Sequence, residues 1–239
     1  LKKNIYIIIA FFLPFVLMAI GFAIMEVSPF GDKQILVTDL WHQYYPFLVD
    51  FQDKLKHGES LFWSWTQGGG VNYFSLMSYY LAGPMNFLCV FIPSQWLREF
   101  LMFSVCAKVA FAGCFTAIFL RSVFKKNDFS LVVFGTTFSF CAFFMGYYWN
   151  TIWLDTVCIT PLVALGSVKL LTEGKFRLLT ITLAVSLLSN YYIGLFTCIF
   201  VLLIFIAYSI VKWDGFKSFF TKLAKTALFS LLAIGMTAF

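Results

Sequence analysis

The chain has 239 residues, of which 61% are hydrophobic and only 12% charged, with a net charge of +6 and a mean hydropathy of +0.88. A soluble domain carries about 25% charged residues, and its core cannot enclose this much apolar surface, so a soluble enzyme or binding domain is excluded. The basic residues are scattered beside apolar segments, which assigns the surplus to the positive-inside bias of a membrane protein and argues against a nucleic-acid partner.

Apolar runs of roughly 20 residues mark candidate spans. The first is Ile5 to Met25, preceded by Lys2 and Lys3. Its start resembles a signal peptide, but it is long and lacks a small-residue cleavage site, so it is read as a retained helix. The later runs are Leu101 to Leu120, Leu131 to Tyr147, Val157 to Leu171, Leu178 to Asn190, Ile193 to Val211 and Leu223 to Phe239, which makes seven in all. Lys2 and Lys3, Arg121–Lys125–Lys126, Lys175–Arg177 and Lys212–Lys217–Lys222 are placed on the cytoplasmic side. Glu26 to Glu99 then forms one long external loop. The moderately apolar piece Tyr73 to Ile92 would invert every later link if it spanned. Pro84 interrupts it, and it is read as an interfacial or re-entrant segment.

Within that loop the stretch "VTDLWHQYYPF" is a polar, aromatic cluster in an otherwise aliphatic chain. Thr38 is a candidate N-cap for a helix beginning at Asp39. Leu40, Tyr44, Leu48, Phe51 and Leu55 fall on one face at helical spacing, and Asp39, His42, Gln43, Asp50, Asp53 and His57 on the other. Pro46 predicts a kink or two short helices. Asp39 suits a general base beside an apolar boundary, or a helix-start acid favoured by the macrodipole. His42 and Gln43 share its face and suit a sugar or a metal. Trp41, Tyr44, Tyr45, Trp63 and Trp65 fit an aromatic belt, and flat rings also stack on sugars. In "WSWTQGGGVNYFS", Gln67 precedes the run Gly68–Gly70, which lacks the lysine and spacing of a nucleotide loop and reads as a flexible turn.

Further along, Lys108 stands in mid-span, where an ionisable group is costly; it would neutralise a phosphate or pair with an acid on another helix. "GYYWNTIWLDT", with Trp149, Asn150, Trp153 and Asp155, and "LLSNYYIGLF", with Asn190, Tyr191 and Tyr192, are two more polar aromatic clusters at outer turns. No basic link is decorated in this way, so the asymmetry predicts one external site. The six cysteines show no metal spacing or CxxC pair and read as packing residues.

The stretches "SPFGDKQILVTDLWHQYYPF", "YYLAGPMNFLCVFIP", "WNTIWLDTVCITPLVALG" and "SNYYIG" together resemble the bacterial YfhO family of multispanning membrane proteins, over about Ile5 to Val211. The resemblance implies an all-α, GT-C-like fold of about seven transmembrane helices, with a long first external loop carrying membrane-lying helices. It implies a glycosyltransferase that takes sugar from a polyprenyl phosphate on the outer face of the bacterial membrane. The acceptor it implies is a cell-envelope polymer such as the teichoic acid of Gram-positive bacteria. Asp39 matches the family's first-loop catalytic acid, Asp155 its outer-turn acid, and Asn190, Tyr191 and Tyr192 its Asn-aromatic-Tyr turn. No motif establishes a metal site, and a divalent ion stays open. Residues 1–239 are expected to be the N-terminal membrane module of a longer protein, with 26–99 as the first external loop.

Residues and resemblance converge on one expectation. Asp39 deprotonates an acceptor hydroxyl, which displaces the polyprenyl phosphate with inversion, and Arg98 or Lys108 steadies the departing phosphate. The expected substrate contacts are His42, Gln43, Tyr44, Gln67, Arg98, Lys108, Trp149, Asn150, Trp153, Asn190, Tyr191 and Tyr192. The alternatives are a lipid or glycolipid flippase, which calls for polar residues at several depths and for repeats that the sequence lacks, and a non-catalytic scaffold.

Overall fold

The computed structural model describes residues 4–238; Lys2 and Lys3, expected inside, and Phe239 lie outside the described residues. The fold is an all-α bundle with one small hairpin. Its helices are α1 (Ile5–Ile24), α2 (Tyr45–His57, entered through a π-helical turn Leu40–Tyr44), α3 (Tyr73–Tyr80), α4 (Leu97–Phe124), α5 (Ser130–Ser139), α6 (Ala142–Gly146), α7 (Thr151–Glu173), α8 (Arg177–Ser189), α9 (Tyr191–Val211) and α10 (Phe216–Gly235). The strands β1 (Trp63–Ser64) and β2 (Val71–Asn72) pair antiparallel.

Among the described residues five helices are long and apolar enough to cross a membrane: α1, α4 with its leading 3-10 turn, α7, α9 and α10; the bent pair Tyr73–Tyr80 and Pro84–Phe91 passes the same test only when taken together. Two of the seven expected spans are shorter. The run 131–147 is split into α5 and α6 by a break at Phe140–Cys141, and the run 178–190 becomes the 13-residue α8. At 1.5 Å per residue, α8 reaches roughly 20 Å against a hydrocarbon core of about 30 Å.

α4 is the hub. Its small residues let α1 and α5 close on it. A Cβ on Gly113 would run into the Ala10 carbonyl, and one on Gly135 would come within 2.7 Å of the Gly113 carbonyl. Gly166 gives α7 the same intimacy with α8, since a Cβ there would meet the Leu179 nitrogen at 2.5 Å. This is the small-residue packing expected where lipid offers no hydrophobic drive between helices. α8 is accordingly buried along Leu179, Leu183 and Ser186. The outer faces of α1, α9 and α10 remain apolar and exposed, at Phe12, Ile20, Leu195, Leu203 and Leu231 among others.

The two ends of the bundle differ. The C-terminal end of α1 and the N-terminal ends of α4, α7 and α9 come together at one end: Ser28 Oγ donates to Glu99 Oε1 at 2.6 Å, and Phe22 packs on Tyr148. At the other end Arg121 donates to Asn4 Oδ1 at 2.9 Å, and Lys175 pairs with Glu173 at 2.7 Å.

The long loop folds over the first of these ends. Leu40, Tyr44, Leu48 and Phe51 are buried as the helical spacing predicts. Asp50, expected on the polar face, is buried instead. It accepts from Ser64 Oγ at 2.7 Å, while the buried Lys54 donates to the Trp63 carbonyl at 3.1 Å. The β-hairpin folds back onto this side of α2, which periodicity along one helix does not register. Tyr73–Tyr80 and the 3-10 segment Pro84–Phe91 meet at a 111° bend. The buried Gln52 Nε2 holds the far end of the 3-10 segment through the Cys89 and Ile92 carbonyls, at 2.6 and 2.8 Å.

Candidate functional site

The backbone is irregular on both sides of Asp39. Thr38, expected to cap, takes a left-handed conformation with φ 46°, which costs a non-glycine residue roughly 1–2 kcal/mol. Asp39 opens the helix without its carboxylate bonding any backbone N–H. The π-turn follows, with the Tyr45 N–H reaching the Leu40 carbonyl. Its cause is local: Pro46 has no N–H to give, so the ladder resets before α2 proper begins. π-turns and strained φ values gather at functional sites.

The turn lays out its side chains unequally. Asp39 and Gln43 are half-buried, Trp41 and His42 are exposed, and Tyr44 is buried. Tyr44 donates to Asn150 Oδ1 at 3.0 Å, which ties the loop to the start of α7. Burial pushes the Tyr44 hydroxyl well above its ordinary pKa and the charge of Asp39 adds to the shift, so Tyr44 stays a neutral donor. Tyr80 donates to Gln43 Oε1 at 3.1 Å and packs on Tyr44.

The second and third clusters join the same end. Asn190, fully buried, donates from Nδ2 to the Tyr79 carbonyl at 3.3 Å while its Oδ1 caps α9 by accepting from the Ile193 N–H. Tyr79 packs against Tyr191, and Trp153 against Tyr192 and Tyr147. Trp149 donates to the Gly146 carbonyl within its own turn. The structure thus joins Gln43, Tyr44, Asn150, Trp153, Asn190, Tyr191 and Tyr192 through Tyr79 and Tyr80. Asp39 lies near enough that, after burial, its charge also raises the pKa of the Tyr44 and Tyr80 hydroxyls. Gln67 sits apart on the hairpin turn, its carbonyl accepting from the Gly70 N–H. Arg98 is half-buried in the first turn of α4 and has no carboxylate partner among the described residues.

Tyr79 and Tyr80 are the members that sequence reasoning missed. Their signal was the "YYLAGPMN" stretch, where two adjacent tyrosines precede a Gly-Pro break.

Asp155 and Lys108 belong to a different environment. Lys108 Nζ on α4 pairs with Asp155 Oδ2 on α7 at 2.8 Å and donates to the Thr151 carbonyl at 3.0 Å. The lysine is 1% exposed and the aspartate side chain 9%. Of the two roles expected for Lys108, the pairing with an acid is the one the geometry provides. The buried bend of the long 26–99 loop sits directly on this pair, since a Cβ on Gly83 would come within 2.5 Å of Asp155 Oδ2. A cavity of about 180 Å³ adjoins the pair, walled by Met85, Phe111, Phe115 and Ile159; Asp39 does not line it. Asp39 and Asp155, expected on one catalytic face, therefore occupy distinct surroundings: one carboxylate unclaimed by any backbone N–H, the other neutralised. Among the described residues no three His, Cys, Asp or Glu side chains gather as a metal cluster.

A multispanning α-helical membrane protein, with a loop-covered aromatic and polar network at one end, is the class that this architecture defines. The family model for the bacterial membrane protein YfhO matches residues 10–239, and the chain belongs to that family. No curated protein and no solved structure matches it.

Proposed function

We propose that the protein is a GT-C-type glycosyltransferase. It moves a sugar from a polyprenyl-phosphate donor to a hydroxyl of a cell-envelope polymer, such as teichoic acid, at the outer face of the membrane. The observation that carries the reading is the carboxylate of Asp39, held between the left-handed Thr38 and a π-turn, near Tyr44, without being spent on capping the helix that follows it. A helix-start acid with only a structural role would be expected to serve the unpaired N–H groups there.

In this reading Asp39 takes the proton of the acceptor hydroxyl as its oxygen attacks the anomeric carbon. The bond from that carbon to the phosphate oxygen breaks on the opposite face, so the configuration inverts and the phosphate leaves as an anion. Arg98, free of a carboxylate partner, is the cation for that anion. Tyr191, Tyr192 and Trp153 offer ring faces to the sugar, with His42 and Gln43 as polar contacts. Asp155 is a positioning residue here: with Lys108 it supports the bend from which Tyr80 reaches Gln43, four residues from Asp39. The orientation goes with seven crossings, α5–α6 and α8 being the short ones, and with 26–99 outside.

The test is sugar transfer by purified full-length protein. Asp39→Asn keeps the shape but removes the base, and is expected to lower transfer by roughly 10²–10⁴-fold while donor lipid still binds. Normal transfer by folded Asp39→Asn protein would remove Asp39 as the base.

A further inference from the structure

The link before α10 and the first turns of that helix form a basic surface at the end of the bundle opposite the aromatic network. Between Lys212 and Lys225 stand four lysines and one acid, Asp214. Asp214 is already engaged: Lys222 pairs with it at 2.7 Å, and Ser218 Oγ donates to the same oxygen at 2.7 Å. Lys217 and Lys225 have no carboxylate partner among the described residues, and both are exposed. With Thr221 between them they line one wall of a groove of about 480 Å³, whose other wall is Leu170, Leu171 and Gly174.

The decisive feature is how this face continues. Lys217, Thr221 and Lys225 recur at i, i+4 and i+8, and the same stripe runs on through Leu228 and Leu232, both exposed. Over roughly 22 Å of helix, at 1.5 Å per residue, the surface passes from two free ammonium groups to bare leucine. Trp213, Phe216 and Phe220, all exposed, surround the basic end as aromatics do at a headgroup boundary. A nucleic acid would use only the basic half of this stripe, and a free phosphate would leave the apolar half uncovered. A molecule with an anionic head and a hydrocarbon tail meets both halves in the right order.

We propose that the groove beside α10 is a binding site for an anionic phospholipid. The phosphate lies between Lys217 and Lys225, Thr221 supplies a hydroxyl donor, and the acyl chains follow Leu228 and Leu232. Lys222 contributes little net charge because Asp214 cancels it. This site is independent of the sugar-transfer reading and lies away from the network around Asp39.

The experiment uses full-length protein in nanodiscs containing phosphatidylglycerol and phosphatidylcholine, with bound lipid counted by native mass spectrometry. The parent protein is expected to retain phosphatidylglycerol in preference to phosphatidylcholine. Lys217→Gln with Lys225→Gln is expected to weaken that binding by about thirtyfold, on the order of fivefold per lysine. Lys217→Arg with Lys225→Arg keeps the charge and is expected to keep the lipid, which separates loss of charge from loss of fold. Undiminished phosphatidylglycerol binding by the Gln pair would overturn the proposal. So would displacement of the lipid by inorganic phosphate, which would make this a small-anion site, or failure of an amine-reactive reagent to reach Lys217 and Lys225 in the delipidated full-length protein, which would mean that protein covers them.

Discussion

Asp155 and Lys108 illustrate how much a partner decides about a charged residue. Alone in the apolar interior, either charge costs several kcal/mol; joined at 2.8 Å, with the Thr151 carbonyl accepting a second lysine proton, they are mutually compensated. Removing one leaves the other stranded. Lys108→Met or Asp155→Leu alone is expected to destabilise the protein by about 3–5 kcal/mol, and the double variant by far less than the sum. Denaturation of the four proteins in detergent reads this directly, and additive losses would mean that the pair is uncoupled. The sequence alone made Lys108 conspicuous, because an ionisable residue in mid-span calls for a partner. It did not say which acid that was, since the pairing depends on the register of α4 against α7. Asp155 reads as a catalytic acid from its match to the family's outer-turn acid, a reading that does not include its pairing with Lys108. The irregular backbone beside Asp39 is by contrast local in sequence, set by the left-handed Thr38 before it and by Pro46 after the π-turn.

At the scale of the element, the entrance to α2 departs most from regular structure. A π-turn holds one residue more than an α-turn and so re-aims every side chain before it by about 100° relative to those after it. Leu40 and Tyr44 are buried, as α-helical spacing already provides, while Asp39 and Gln43 stay at the edge of the interior. Pro46→Ala restores an N–H and allows the turn to relax to α-helical pairing. Thermal stability is expected to hold or rise slightly, while sugar transfer falls, because Asp39 swings away from Tyr44. Measuring both on one preparation separates the two effects; a variant that keeps full transfer would show that the irregular turn has no functional part. Periodicity foresaw the buried face of this helix and the interruption at Pro46. It missed Asp50 and Lys54, which are buried by a hairpin that no single-helix pattern contains.

At the scale of the whole molecule, hydropathy located the apolar helices among the described residues but not the break in one of them. The run 131–147 is divided at Phe140–Cys141, and the run 178–190 is as short in the structure, at 13 residues, as in the sequence. Both lean on long neighbours through glycine contacts, at Gly113–Gly135 and Gly166–Leu179, that a hydropathy window does not weigh. The proposed orientation rests on the unlike ends of the bundle. In protein stripped of native cysteines, a cysteine at Gly69 is expected to react with an impermeant reagent from outside, and one at Lys175 only after the membrane is opened. The reverse pattern would invert the site to the cytoplasm.

The buried ion pair also constrains how the chain is made. A ribosome delivers α4 before α7, so for a time Lys108 exists without Asp155. Released alone into lipid, that helix would carry an ammonium costing roughly 2.5–3.5 kcal/mol at the membrane centre. Its neighbours α1 and α5 bring small residues but no counter-charge to Lys108. α4 as a whole is apolar enough to cross a membrane, so that charge hinders its insertion without forbidding it, and the later arrival of Asp155 on α7 relieves the cost.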